Sequence, residues 1–530
     1  MIDPKVPVSL NCNSLGRLYN KRMDGTKDPI SGQMPTPVQQ VVVYARLNGS
    51  PSTNNNRGRR RRKLFSLITR LMTKSKHAAN QNNLLTFVSG IGMCSSIPLL
   101  VLHAVVIGLS SGQQYAATPL SQVPFAAVWN APTANCKSRF GVELDLGVFN
   151  IVRNRNQSFM GDNITIFYPD KLGRYPKYNQ GVAINGGVPQ NASLADHLRA
   201  AARDVDADIP DRDFVGLAVV DWESWRPSWK RNWDTMEVYW QGSRALVRSK
   251  HPDWSPAQVE VEAVKEFEAG ARDFMEGTLR LAEKERPGGL WGFYGFPGCY
   301  NYYRRKDANY TGACPPVELQ RNDRLSWLWN VSTALYPEIY LDIRLRELHE
   351  EVLLYSHHRI MEAMRVGAQR GPAMAPVVPY ARIVYTYSLD FLPQEHLVYT
   401  IGESAAVGAA GVVLWGDNLF AKSKANCETI KAYIDKTLGH YLVNVTSAAA
   451  LCSQAMCSSR GRCQRREPSS RAYLHLDPAF WKVVSDDKPG GGRTYRVLEQ
   501  PESRQVLNMG SQFKCVCYSG WAGESCAKPL

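Results

Sequence analysis

The segment Phe214-Val-Gly-Leu-Ala-Val-Val-Asp-Trp-Glu-Ser-Trp-Arg-Pro-Ser-Trp229 does most to limit how this chain can fold. Its apolar run does not alternate with polar residues. The strand it predicts therefore needs cover on both faces, as in a parallel sheet clad with helices. The run ends on Asp221 and Glu223 among three tryptophans. Side chains alternate along extended backbone, so the two carboxylates share one face and Trp222 takes the other. Like charges this close, with apolar neighbours, resist full ionisation. One of the pair is expected to hold a proton near neutrality, as a general acid must. The plainer alternative is Asp221 capping the next helix and Glu223 pairing with Arg226 at a rim.

Short apolar runs recur from about Pro124 to Thr446: Phe125–Trp129, Ile164–Tyr168, Phe214–Val220, Leu290–Tyr294, Val377–Tyr385 and Ala410–Trp415. Helical stretches separate them. Ser193, for example, can cap a helix from Leu194 that presents Leu194, Leu198 and Val205 on one face and ends before Pro210. Such alternation predicts an α/β fold with a parallel barrel, its site at the C-terminal face where the runs end in polar and aromatic residues. A doubly wound open sheet is the alternative, without a glycine-rich phosphate turn to support it.

The net charge of +15 would suggest a nucleic-acid or membrane partner if it were spread evenly. Residues 1–83, however, hold 15 Lys+Arg against 3 Asp+Glu, which leaves the remainder at only +3. The run Arg59–Lys63 lies in an Asn-, Pro- and Ser-rich stretch without apolar periodicity and reads as disordered. A nuclear or nucleic-acid signal there is opposed by the cysteine usage, and no nucleic-acid partner is expected. The 13 uncharged residues Ile97–Leu109 resemble a signal-peptide core. Extended back to Leu84, the run reaches the length of a signal anchor. Residues 1–120 thus read as a leader.

Ten of the twelve cysteines follow that run, an even number that implies disulfides and an oxidising compartment. Sequons at Asn156, Asn163, Asn191, Asn309, Asn330 and Asn444 agree with passage through the secretory route. The destination is outside the cell or the lysosome. No apolar tail follows Cys526, so a C-terminal lipid anchor is not expected. After Thr446 the spacing Cys515-Val-Cys-Tyr-Ser-Gly-Trp-Ala-Gly-Glu-Ser-Cys526 marks an EGF-like module over 447–530, with 121–446 as the barrel. A zinc site is the weaker reading, because paired CxxC spacing is missing. The ten histidines show no HExxH-type spacing, so neither a metal nor any other cofactor is expected.

From about Phe125 to Cys526 the chain resembles the vertebrate hyaluronidases, glycoside hydrolase family 56. The resemblance is carried by Ile166–Pro176, Gly187–Ser193, Asp221-Trp-Glu223 with Trp225-Arg-Pro227, Trp291–Pro297, Cys299–Tyr302 and Gly402–Trp415. It implies a distorted parallel (β/α) TIM-like barrel that cleaves the β-1,4 bonds of hyaluronan with retention, as a monomer. Glu223 would be the proton donor, and the substrate's acetamido oxygen the nucleophile, an exception to the two-carboxylate scheme. Asp221 would position the acetamido group and Tyr294 would touch it. Tyr168, Tyr340 and Trp415 would line the subsites, and Arg226 with Lys230 and Arg231 could meet glucuronate carboxylates. The implied bridges are Cys136–Cys427, Cys299–Cys314, Cys452–Cys463, Cys457–Cys515 and Cys517–Cys526, leaving Cys12 and Cys94 unpaired. One departure is Thr386, where some relatives carry an acid, so the pH optimum stays open. Two competing readings are a chondroitin-preferring relative and a catalytically silent glycan-binding or adhesion protein.

Overall fold

The computed structural model describes residues 120, 123–149, 152–303, 309–369, 374–488, 492–499 and 509–530. The basic run, the hydrophobic run, Cys12 and Cys94 lie outside the described residues. In chain order the strands are β1 (Ala126–Asn130), β2 (Val152–Arg153), β3 (Ile164–Phe167), the hairpin β4 (Lys177–Asn179) and β5 (Val182–Ile184), β6 (Leu217–Val220), β7 (Leu290–Phe293), β8 (Tyr380–Ala381) and β9 (Gly411–Trp415). Two parallel sheets, β2-β1-β9-β8 and β3-β6-β7, are linked through residues 335–338. The links are isolated bridges Tyr294 to Tyr336, Leu335 to Val377 and Glu338 to Tyr380. At the other end of this arc Asn154, buried, donates to the carbonyls of Ser158 and Ile164 and accepts from the amides of Asn163 and Ile164. The fold is α/β with parallel strands, as the apolar runs predict.

Period-two alternation divides the strands' side chains between two cores. Val128, Ile164, Ile166, Leu217, Val219, Leu290, Tyr336, Val378, Tyr380 and Val413 belong to an inner cluster. Their neighbours Trp129, Phe167, Ala218, Val220, Trp291, Phe293, Val412 and Leu414 pack outward against helices α1 (Leu194–Asp208), α3 (Pro256–Glu285) and α4 (His349–Ala368), among others. Helix α2 (Glu237–Lys250) lies beside α3.

The Ser193 hydroxyl caps α1 by accepting from the Asp196 amide, and Ser255 with Gln258 forms a capping box at the start of α3. The fully buried face of α1 is His197, Ala200, Ala201 and Val205. Leu194 and Leu198 are only half-buried, although both lie near Gly277 of α3.

Helix α5 (Gly439–Met456) runs unbroken through residues 446 and 447, past the point where composition changes. Beyond it, β10 (Gly461–Arg465), β11 (Trp481–Lys488), β12 (Gly492–Glu499), β13 (Phe513–Cys517), β14 (Trp521–Ala522) and β15 (Lys528–Pro529) form three antiparallel pairs, β10 with β13, β11 with β12 and β14 with β15. Disulfides join Cys452 to Cys463, Cys457 to Cys515 and Cys517 to Cys526 in this region, and Cys136 to Cys427 and Cys299 to Cys314 in the α/β part. Among the described residues, no helix is long and apolar enough to cross a membrane.

Candidate active site

Each strand of the arc runs out of inner-core residues at its carboxyl end, and the next inward position carries a polar or aromatic side chain. After Val219 come Asp221 and Glu223. Ile166 is followed by Tyr168, Tyr336 by Glu338 and Tyr340, Tyr380 by Arg382, and Val413 by Trp415. The same parity places Tyr294 against the inner cluster. Trp222, of opposite parity, is buried on the helical side, stacked on Tyr175 at 4.6 Å and edge-on to His197 at 5.4 Å. Such aromatic pairs are each worth about 0.5–1.5 kcal/mol beyond their buried area. They fix the backbone that carries the two carboxylates.

Asp221 is buried, and its Oδ1 has no hydrogen-bond partner in the protein. It caps no helix, which removes the plainer reading of that residue. Glu223 opens 34% of its side chain to the cleft, with Arg226 Nη2 3.8 Å from its Oε1 and Nη1 donating to its carbonyl at 3.2 Å. Desolvation holds the Asp221 carboxyl well above the ordinary value, and the Glu223 charge adds to it. Glu223 is also raised, by desolvation, with Arg226 opposing and Glu338 assisting. Asn232 clamps the Arg226 loop, accepting from its amide and donating to its carbonyl, both at 2.8 Å.

Aromatic rings wall the cleft. Trp415 stacks on Tyr340 at 5.9 Å and on Phe159 at 6.3 Å, and its indole N–H donates to the Tyr168 hydroxyl at 3.4 Å. Tyr294 lies 6.0 Å from Tyr340 and donates to Glu338 Oε2 at 2.8 Å. Arg382 sits 5.0 Å over Trp415 and pairs with Asp417 at 2.9 Å. The structure thus gathers Asp221, Glu223, Arg226, Tyr168, Tyr294, Tyr340 and Trp415 in one cleft.

Lys230 is exposed and Arg231 is turned away, bound to Glu318 and lying 3.5 Å over the Tyr300 ring. Glu338 and Arg382 belong to the cleft but were not expected from sequence. Arg382 lies inside the apolar run Val377–Tyr385, and Glu338 follows a segment that no apolar run covers. His197 is buried between Arg174 and Thr278, and burial lowers its pKa to about 4, so it is a neutral structural group.

The raised carboxyls have a stability consequence. A carboxyl whose folded pKa lies above its unfolded value stabilises the fold in acid and loses that contribution as pH rises through the folded pKa. Near neutrality the pair is therefore a cost. Asp221→Asn is therefore expected to raise the free energy of unfolding at pH 7. The gain should vanish in acid, where both proteins carry a neutral side chain. Urea unfolding at the two pH values measures it, and a loss of stability at pH 7 would refute it.

An acid pair at the carboxyl edge of a parallel α/β fold, walled by aromatic rings, defines a glycosidase-type site. Residues 114–530 match the hyaluronidase model of glycoside hydrolase family 56. The chain is 45% identical over 432 residues to Hyaluronidase-1 of Bos taurus, covering 81% of this chain and 94% of that protein. It is 46% identical over 433 residues to Hyaluronidase-1 of Homo sapiens, covering 82% and 98%. A hyaluronidase of Crotalus adamanteus is 44% identical, over 76% of this chain and 90% of that protein. Among solved structures, bee venom hyaluronidase in complex with a hyaluronic acid tetramer is 32% identical, with a TM-score of 0.55 over 60% of this chain and 98% of that one. The protein belongs to the glycoside hydrolase family 56 hyaluronidases and is an enzyme of that class.

Proposed function

We propose that this protein hydrolyses the β-1,4 bonds of hyaluronan by a retaining, substrate-assisted mechanism. The observation that carries the reading is the buried Asp221 Oδ1, an acceptor without a donor, set beside Glu223 under a wall of rings. A buried polar atom of this kind calls for a partner, and the N–H of a substrate acetamido group supplies one. Held there, the acetamido carbonyl oxygen attacks the anomeric carbon as Glu223 gives its proton to the glycosidic oxygen, breaking that bond. The result is a cyclic oxazolinium whose positive charge Asp221 balances. Glu223, now a carboxylate, takes a proton from water, and that water opens the ring with net retention. Tyr294 bounds the acetamido pocket, and Tyr168, Tyr340 and Trp415 offer faces to the sugar rings. Arg226, 3.8 Å from Glu223, moderates its proton affinity and can meet a glucuronate carboxylate.

Chondroitin would be a slower second substrate. Five disulfides fit a secreted or lysosomal setting, and the segment after the barrel, 447–530, fits an EGF-like module. Asn156, Asn191, Asn309 and Asn330 are exposed and available for glycosylation. Asn163 and Asn444 are half-buried with their amides engaged, which makes them poorer acceptors.

A reducing-end assay on the purified protein with hyaluronan and chondroitin, from acidic to neutral pH, tests the reading. Faster release from hyaluronan is expected, with rates falling as pH rises. Release from neither polymer would reject the proposal, and faster release from chondroitin would reassign the substrate.

A further inference from the structure

Glu338 is a carboxylate of the cleft that the proposed reaction leaves without a task. It sits inward, one step beyond Tyr336 on the segment bridging β7 to β8, with about a quarter of its side chain (26%) exposed. Two elements hold it. From beyond β7, the Tyr294 phenol donates to Oε2 at 2.8 Å. From α4, Arg359 Nη1 donates to the Glu338 carbonyl at 2.8 Å and lies 3.4 Å from Oε1. Arg359 is in turn fixed, buried, by Asn301 at 2.9 Å and by the faces of Tyr355 and Tyr302 at 4.2 and 4.9 Å. The other titratable groups that Glu338 acts on are Asp221 and Glu223 after β6, Tyr302 beyond β7, Tyr340 on its own segment, Tyr355 of α4 and Tyr387 beyond β8.

A phenol has one proton. Given to Glu338, it leaves the Tyr294 oxygen facing the cleft as an acceptor only. Burial and the Glu338 charge both raise the Tyr294 pKa, so the phenol stays protonated through the working range. A further negative charge beside two interacting carboxyls makes their ionisation harder.

We propose that Glu338 is a positioning residue for the acid pair: clamped by Arg359, its carboxylate claims the Tyr294 proton and adds a further negative charge, so that Asp221 and Glu223 keep their shared proton closer to neutral pH. The proposal rests on Glu223 being the acid of the reaction above, and it gives the cleft the extra carboxylate that Thr386 does not provide.

Glu338→Gln keeps the shape and an acceptor for Tyr294 but removes the charge. The sign follows directly. Without the neighbouring charge the acid loses its proton at lower pH, so the alkaline limb of kcat/KM moves acidward, by about one pH unit for a partly buried like charge. Glu338→Ser, which packs differently, should move it the same way, and Glu338→Asp should restore it. A merely structural residue would lower Tm and rate without moving the limb. The second readout needs no turnover: carbon NMR titration of labelled carboxyl groups in the wild type and in Glu338→Gln, with the site signals assigned through Glu223→Gln. The pair's titration is expected to move acidward by a similar amount. Unmoved titration in folded Glu338→Gln overturns the proposal, whether or not the protein cleaves hyaluronan. Loss of the acid's role in the reaction would instead appear as undiminished turnover in Glu223→Gln.

Discussion

Glu223→Gln is expected to lower kcat on hyaluronan by about 10²–10⁴-fold, the range that a well-placed general acid contributes. Gln keeps the size and the hydrogen-bonding reach of the side chain but has no proton to give to the leaving oxygen. The interaction it removes is made in the transition state, so polymer affinity should stay within a few-fold of the wild type. The pH profile carries a second signature. Glu223 must be protonated to act, and desolvation raises its pKa, so wild-type activity should persist above the ordinary carboxyl range and fall as pH rises through the raised value. Any residual activity in the variant should lack that limb. Kinetics with defined oligosaccharides, paired with a binding isotherm on the polymer, measure both effects. Turnover within tenfold of wild type would remove Glu223 from the reaction.

The acid pair was legible because an apolar run of non-alternating residues ends on it, and parity then fixes its direction. The structure bears out that geometry: Val219, Asp221 and Glu223 follow one face, and Val220 and Trp222 the other. Glu338 was hidden for a physical reason. Its segment, Leu335-Tyr336-Pro337-Glu338, is short and carries a proline, which argues against a strand. It joins the sheet only through isolated bridges. Arg382 sat inside a run that was recognised, yet only Tyr380–Ala381 forms a strand there, too short to make its inward direction evident. Arg231 failed the other way. Sequence proximity to the acids suggested a substrate contact, but Glu318, distant in sequence, neutralises it. The bridges could not be derived from spacing, since ten cysteines allow many pairings. They followed from resemblance, and the structure contains the same five.

Stability should depend as sharply on one buried ion pair that joins the cysteine-rich segment to the α/β part. Glu403 is fully buried on the short helix Glu403–Ala406, which leads into β9 and hence to Trp415. Arg465, at the end of β10, reaches it with both terminal nitrogens, at 3.0 and 2.8 Å, and His357 of α4 approaches the same carboxylate at 2.7 Å. The rest of the guanidinium is satisfied by the carbonyls of Ala472 and Pro468, at 2.8 and 3.0 Å. Glu403→Ala removes the counter-charge of this guanidinium and leaves Arg465 charged, about 2% exposed and held by carbonyls. Removing one partner of a buried pair costs about 3–5 kcal/mol, most of it from stranding the other charge. Guanidinium unfolding should register that loss, and limited proteolysis should show residues beyond β10 cut first, because β10 loses its tie to the α/β part. Replacing both partners together, as Glu403→Leu with Arg465→Met, removes the stranded charge and should recover most of the loss. An unchanged midpoint in Glu403→Ala would mean that the two regions are held by their apolar contacts and that this pair contributes nothing to the join.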